Sequence, residues 1–153
     1  MFELKDGKLN EITILTDELC DELSDAARDE SEKIGIGVCL AIVDEKGVLL
    51  YFRRFKGSLV VSVGIAQNKA YTSAVMRKAT GELAPDVISG GELFGINTAD
   101  PRLAVFGGGF PLLAGGVMVG AIGVSGGSVG EDERIGNRVL TVFKRYIKEK
   151  FGL

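Results

Sequence analysis

The chain has 153 residues, 46% of them hydrophobic and 25% charged, and a net charge of −3. That length buries about two-thirds of the unfolded chain's surface in one domain, and an acidic chain with no Lys/Arg cluster interleaved with aromatics excludes nucleic acid as a main partner. There is no histidine, which removes Ser-His-Asp and Cys-His constellations, imidazole metal sites and the usual general base near neutral pH.

Residues 1–153 read as one domain, with 1–14 as a polar N-terminal extension. No leader pattern follows Met1, and the longest apolar run, 103–125, is broken by glycines and a proline. A cytoplasmic protein without membrane contact is expected. Cys20 and Cys39 sit alone in apolar patterns and read as buried thiols. No CxxC pair exists, so no metal site is expected.

Thr16 offers an N-cap, with Asp17 and Glu18 in the first turn. Leu19, Leu23, Ala26, Ala27 and Ile34 recur at helical spacing, which predicts a helix over 17–33 that Gly35 ends. Two β-rich runs, 37–43 and 48–55, flank Asp44-Glu45-Lys46-Gly47 and predict a hairpin. From Ser58 to about Thr80-Gly81 the pattern is helical again. Its stripe of Ala66, Ala70 and Ala74 allows close approach of a sheet, a second helix or another protomer.

Pro85, Gly90, Gly91, Gly95 and Pro101 then break the chain into a short helix near 85–89 and a loop. Residues 102–106, Phe110 to Ala114 and Val117 to Val124 read as strands, with Gly107-Gly108-Gly109 as one turn and Gly115-Gly116 as a two-residue hairpin turn. Val117 to Val124 is apolar on both faces and is expected at the sheet centre. Its alternation places Val117, Val119, Ala121 and Gly123 on one face and Met118, Gly120, Ile122 and Val124 on the other. Ser128-Val129-Gly130-Glu131 matches a capping box before a last helix to about 149. The expected fold is α/β of the α+β kind, a five-stranded antiparallel sheet with flanking helices.

The stretch GGVMVGAIGVSGGSVG, 115–130, holds seven glycines in sixteen residues within a strand pattern. Such glycines serve close packing, or they line a site. In the second reading Ser125, Gly126, Gly127 and Ser128, between strand end and helix start, cradle a small anion on free N–H groups. The N–H of Glu131 joins them, and Asp132 turns away to avoid repelling the ligand. Lys69, Glu131 and Asp132 are the acid/base candidates. In the first helical turn, carboxylates also serve simply to complement the dipole. Neither GxxxxGK[ST] nor GxGxxG occurs. Tyr51, Tyr71, Met76 and Met118 are of types that can ligate haem iron or fill a core. Arg53 and Arg54 suit a solvated rim or a carboxylate partner.

The tract GGGFPLLAGGVMVGAIGVSGGSVGEDERI, 107–135, resembles the GlcG/HbpS family, which includes the C-terminal domain of PduO-type proteins. The matching positions are Gly108, Gly109, Pro111, Gly116, Gly120 to Gly127 and Asp132. Upstream, VDEKGVLLYFRR resembles the family's first hairpin and AQNKAYTSA its central helix, with Lys69, Ala70 and Thr72 in place. The similarity runs over roughly 15–145. It implies a profilin-like fold, homo-oligomers, and binding of haem or another tetrapyrrole in some members, with haem degradation in some. Other members accompany glycolate or diol utilisation. The family's R-x-D-G-A is here Arg54-Phe55-Lys56-Gly57-Ser58, without the acid. Without histidine, any haem must rely on Tyr, Lys, Met, Cys or its own propionates, with Tyr51 and Tyr71 first among ligands. Three functions stay open: a ligand-binding accessory protein for a tetrapyrrole or small carboxylate, an enzyme acting on a small organic acid or degrading haem, and an assembly protein.

Overall fold

A computed structural model describes residues 2–5, 8–11 and 13–153. Strands β1 (Phe2–Lys5) and β2 (Lys8–Glu11) pair as a short antiparallel hairpin, with Phe2 opposite Glu11. The expected extension over 1–14 lies partly outside the described residues. Helix α1 (Asp17–Ile34) follows. Thr16 caps it by accepting the Leu19 N–H, and Gly35, at φ 83°, closes it through N–H donation to Glu32 and Ser31 carbonyls. Both end signals were local, and both formed.

Strands β3 (Cys39–Asp44), β4 (Leu49–Arg54), β5 (Gly109–Ala114) and β6 (Val117–Ser125) make one antiparallel sheet in the order β4-β3-β6-β5. β6 lies in the interior, between β3 and β5, as its two apolar faces predict. The β5–β6 turn has Gly115 at φ 56° and Gly116 at φ 80°, a primed turn that favours glycine at both positions. The β3–β6 seam pairs residues far apart in sequence: Cys39 opposite Ser125, Asp44 opposite Gly120.

The sheet has four strands rather than five. Residues 102–106 read as a strand because of their apolar run, but their backbone is engaged by a side chain instead of a neighbouring strand. The Ala104 N–H donates to Thr72 Oγ1 at 2.8 Å, and the Thr72 hydroxyl reaches the Arg102 carbonyl at 3.5 Å. The strand alternation also needs correction at Val119. A register shift between Leu112 and Leu113 makes Val119 the extra residue opposite β5, and it packs with the Ile122 face.

Helix α2 (Val61–Met76) covers one face of the sheet, and α1 with α5 (Val129–Phe151) covers the other. Between α2 and β5 run a 3-10 turn, Thr80–Leu83, and two short helices, α3 (Ala84–Val87) and α4 (Ile96–Ala99). The larger core joins Leu19, Leu23, Leu40, Ile42, Ile122 and Phe143 on the α1/α5 side. On the α2 side the core is made mostly of small residues, Cys39, Ala41, Ala66, Ala70, Ala74 and Ala121, together with Val43. The alanine stripe therefore faces the chain's own sheet, not a second protomer.

Glycine makes this approach possible. Gly109 and Gly123 stand opposite each other on the α2 side of the sheet. A Cβ on Gly123 would run into the Ala66 carbonyl, and one on Gly109 would come within 2.5 Å of the Lys69 carbonyl. The α2 backbone rests directly on the strands, closer than any side chain between them would allow.

Candidate functional site

The glycine-rich stretch leads to a buried charge cluster. Lys69 lies on the sheet-facing side of α2, among alanines, and is fully buried. Its Nζ donates to Asp132 Oδ2 at 2.8 Å and to the Val124 carbonyl at 2.9 Å. It also stands 5.1 Å from the centroid of the Phe106 ring, within cation–π range. Gly108, at φ 123°, passes so close that a Cβ there would meet Nζ at 2.7 Å.

Asp132 is the second buried charge, and it corrects an expectation. It does not turn away from the glycines. Its Oδ1 accepts the Gly127 N–H at 2.9 Å, while Oδ2 holds Lys69. Burial pushes its carboxyl up from the ordinary value, against the pull of the Lys69 ammonium and the Gly127 and Gly126 N–H groups. Glu131 completes the capping box: its Oε2 accepts the Ser128 N–H at 2.8 Å, and the Glu131 N–H donates to Ser128 Oγ at 3.2 Å. The N–H groups of 127, 128 and 131, expected to be free for a ligand, are thus held by the protein's own side chains. The positive end of α5 already has its anion. The Ser125 hydroxyl is buried against Ser62 Oγ at 3.3 Å, and a Cβ on Gly126 would strike the Gly37 carbonyl.

The other candidates are scattered. On β4, Tyr51 packs with the α1/α5 core and its hydroxyl donates to Asp21 Oδ1 at 2.8 Å. Tyr71 is on α2, across the sheet. Its hydroxyl donates to Asp100 Oδ2 at 2.7 Å, and the Arg102 guanidinium stands 4.1 Å from its ring centroid. Arg102 grips the same carboxylate through Nε and a terminal nitrogen, at 3.0 and 2.9 Å. That grip holds the Asp100 carboxyl well below the usual range, and the hydrogen bond to Asp100 raises the Tyr71 phenol. Arg53 stacks 5.4 Å from the Phe55 ring, and Arg54 bonds Ser58 through Oγ and carbonyl. Met76 and Met118 are half-buried. No cluster of three or more potential metal ligands occurs among the described residues.

Haem iron is poorly served by these groups. Both candidate phenols already donate to carboxylates, and the raised Tyr71 phenol resists the tyrosinate form that ferric iron favours. The cysteines are both buried. Cys20 is pushed up to about 11, first by burial and then by Asp17 and Asp21. Its alkylation at pH 8 in the folded protein is therefore expected to run at least about a hundredfold slower than that of a free thiol. Labelling of Cys20 at the free-thiol rate would show that α1 opens readily.

One cavity that the sequence reading missed lies on the α5 side of β5. It measures about 270 Å³ and is lined by Phe110, Pro111, Leu113, Leu140 and Phe143, with Ala79, Glu82 and Lys144 completing its wall. Pro111 within a strand pattern was the signal the sequence offered. The cavity is just below the usual range for enclosing a whole drug-sized ligand, about 300–1,000 Å³. It suits one apolar edge of a larger molecule.

The described residues therefore define a small α+β domain with a self-neutralised charge cluster and an apolar pocket at one sheet edge. The chain belongs to the HbpS-like family, described as haem degrading protein HbpS-like, whose model matches residues 15–141. It is 33% identical over 138 residues to an uncharacterized 15.0 kDa protein in the dhaT-dhaS intergenic region of Citrobacter freundii, covering 90% of this chain and 97% of that one. It is also 33% identical over 120 residues to the corrinoid adenosyltransferase PduO of Salmonella typhimurium, covering 78% of this chain but only 36% of that protein. Among solved structures, the PduOC:heme complex superposes with a TM-score of 0.81 at 32% identity, over 84% of this chain and 94% of that one.

Proposed function

We propose that the chain is a ligand-binding accessory protein that takes an apolar ring system bearing a carboxylate, with haem or another tetrapyrrole as the leading candidate. The supporting observation is the β5–α5 pocket, apolar within, with Lys144 and Glu82 as the charged residues of its wall. One edge of a macrocycle enters, and Lys144 meets a propionate. No protein group is assigned to the iron. The Lys69–Asp132 pair is given a structural role, because its atoms are spent on each other and on the backbone. Self-association, a soluble cytoplasmic setting and the absence of nucleic acid as partner belong to the same reading. Among the described residues, no helix is long and apolar enough to cross a membrane.

Titration with haem, followed by the Soret band, tests the reading, with cobalamin titrated in parallel. The expected result is a Soret shift without a bis-imidazole spectrum, weakened about tenfold by Lys144→Glu, which sets like charge against the propionate. An unchanged Soret band removes haem. A shift indifferent to Lys144→Glu removes the pocket.

A further inference from the structure

Helix α2 is finished unlike the other two long helices. α1 and α5 each carry an apolar face and a charged outer face, whereas the only charge within α2, Lys69, is buried. The inner side of α2 is the alanine stripe. On its outer side Val61, Gly64, Asn68 and Val75 recur at helical spacing, and none is charged. Val61, Gly64 and Val75 are exposed, and Leu59 and Val60 extend the apolar surface at the helix start. A helix with no charged face is one that something covers, and exposed apolar patches mark places of contact.

The charges around this face have one sign. Residues 46–81 hold seven Lys and Arg and no Asp or Glu, in a chain with 21 acids. Apart from the buried Lys69, they gather toward the two ends of α2. Arg54, which holds Ser58, and Lys56 stand at its start. Arg77 and Lys78 follow its end, where Val75 lies against Gly47 and so beside Lys46. The acids at that end are engaged. Asp44 accepts the Lys46 and Val48 N–H groups, Glu45 stands 4.0 Å from Lys46, and Asp100 is held by Arg102 and Tyr71. Among the described residues, Arg54, Lys56, Arg77 and Lys78 pair with no carboxylate.

We propose that the outer face of α2 docks an acidic amphipathic helix of a partner protein. The docked helix lies along α2, its apolar side on Val61, Gly64 and Val75 and its carboxylates at the two basic ends. The 16 residues of α2 span about 24 Å, which sets the spacing of those carboxylates. Gly64, with open space where a Cβ would stand, lets the two helices approach closely. A second copy is the poorer occupant of this face. Whichever way a two-fold axis runs, α2 against α2 sets a basic end on a basic end, and like charges across an interface oppose binding.

The probe is a synthetic helix of about 20 residues, with leucines on one face and glutamates in its first and last turns. Fluorescence anisotropy against the full chain should give a dissociation constant of about 10 μM, and the same peptide with lysines for glutamates should bind at least about tenfold more weakly. Gly64→Glu should weaken the acidic peptide at least about tenfold with an unchanged circular dichroism spectrum, as should Lys56→Glu combined with Lys78→Glu. Equal binding of the two peptides, binding indifferent to Gly64→Glu, or no binding of the acidic peptide at about 1 mM overturns the proposal. Loss of self-association by Gly64→Glu in sedimentation gives the face to a second copy instead. Co-sedimentation of the wild-type chain with phosphatidylglycerol vesicles, but not with phosphatidylcholine ones, gives it to a membrane surface. Either result overturns the proposal too.

Discussion

Replacing Lys69 by alanine is expected to destabilise the fold by about 3–5 kcal/mol, the usual cost of leaving one member of a buried ion pair alone. Asp132 would keep its Gly127 contact but lose the ammonium at 2.8 Å, in a place with almost no solvent. The Val124 carbonyl would lose its Lys69 donor as well. For a chain of this size the melting temperature should fall by about 10 °C or more. The pair itself is worth much less than its breakage suggests. A double variant, Lys69→Met with Asp132→Asn, removes both charges and keeps an acceptor for the Gly127 N–H. It should lie within about 2 kcal/mol of the wild type. Chemical denaturation of the three chains checks this. A single-variant cost below about 1 kcal/mol would show the ammonium solvated rather than buried.

Replacing Gly123 by valine is expected to be the other large loss, at about 3 kcal/mol or more, because the new side chain must displace backbone rather than a flexible neighbour. A Cβ there meets the Ala66 carbonyl and comes within 2.5 Å of the Ala70 nitrogen. The damage should appear as undocking of α2, with fast amide exchange across that helix while α1 and α5 stay protected. Gly64 is the control. It lies on α2 with open space around its Cβ position, so alanine there should be neutral or stabilise by up to about 1 kcal/mol. A change at 123 no larger than that at 64 would show that α2 does not rest on the β6 backbone.

The glycines of the 115–130 tract thus divide by task. Gly115 and Gly116 turn the hairpin, Gly123 admits α2, and Gly126 passes the Gly37 carbonyl. Gly127 donates its N–H to a carboxylate from the protein itself.

What could be read ahead of the structure was whatever depends on near neighbours. The Thr16 cap, the Gly35 stop, the Ser128–Glu131 box and the Gly115–Gly116 turn all close within a few residues. Position 69 was legible as part of a helix, but not its partner, since Asp132 is 63 residues away. An acid in a first helical turn has an adequate local explanation, which hid its second role. A lysine beside Ala66 and Ala70 was the available clue, because it falls on the stripe that packs. Residues 102–106 failed for the same reason. Their apolar run is strand-like, and only the distant Thr72 hydroxyl decides otherwise. The pocket needed β5, α5 and the Thr80–Leu83 turn to meet, which no single segment announces.

The long seam between β3 and β6 divides the chain into two halves of similar make-up. Residues before Gly90 contribute α1, the β3–β4 arm and α2, while those after Gly91 contribute the β5–β6 arm and α5. Each half brings one hairpin and at least one long helix, and neither can cover its own apolar surface alone. The exposed Gly90, at φ 87°, sits between them. The molecule is built as a pair of complementary fragments that happen to share a covalent link. Cutting the chain near that glycine is expected to leave two pieces that recombine across the seam, which recovery of the circular dichroism spectrum on mixing them checks.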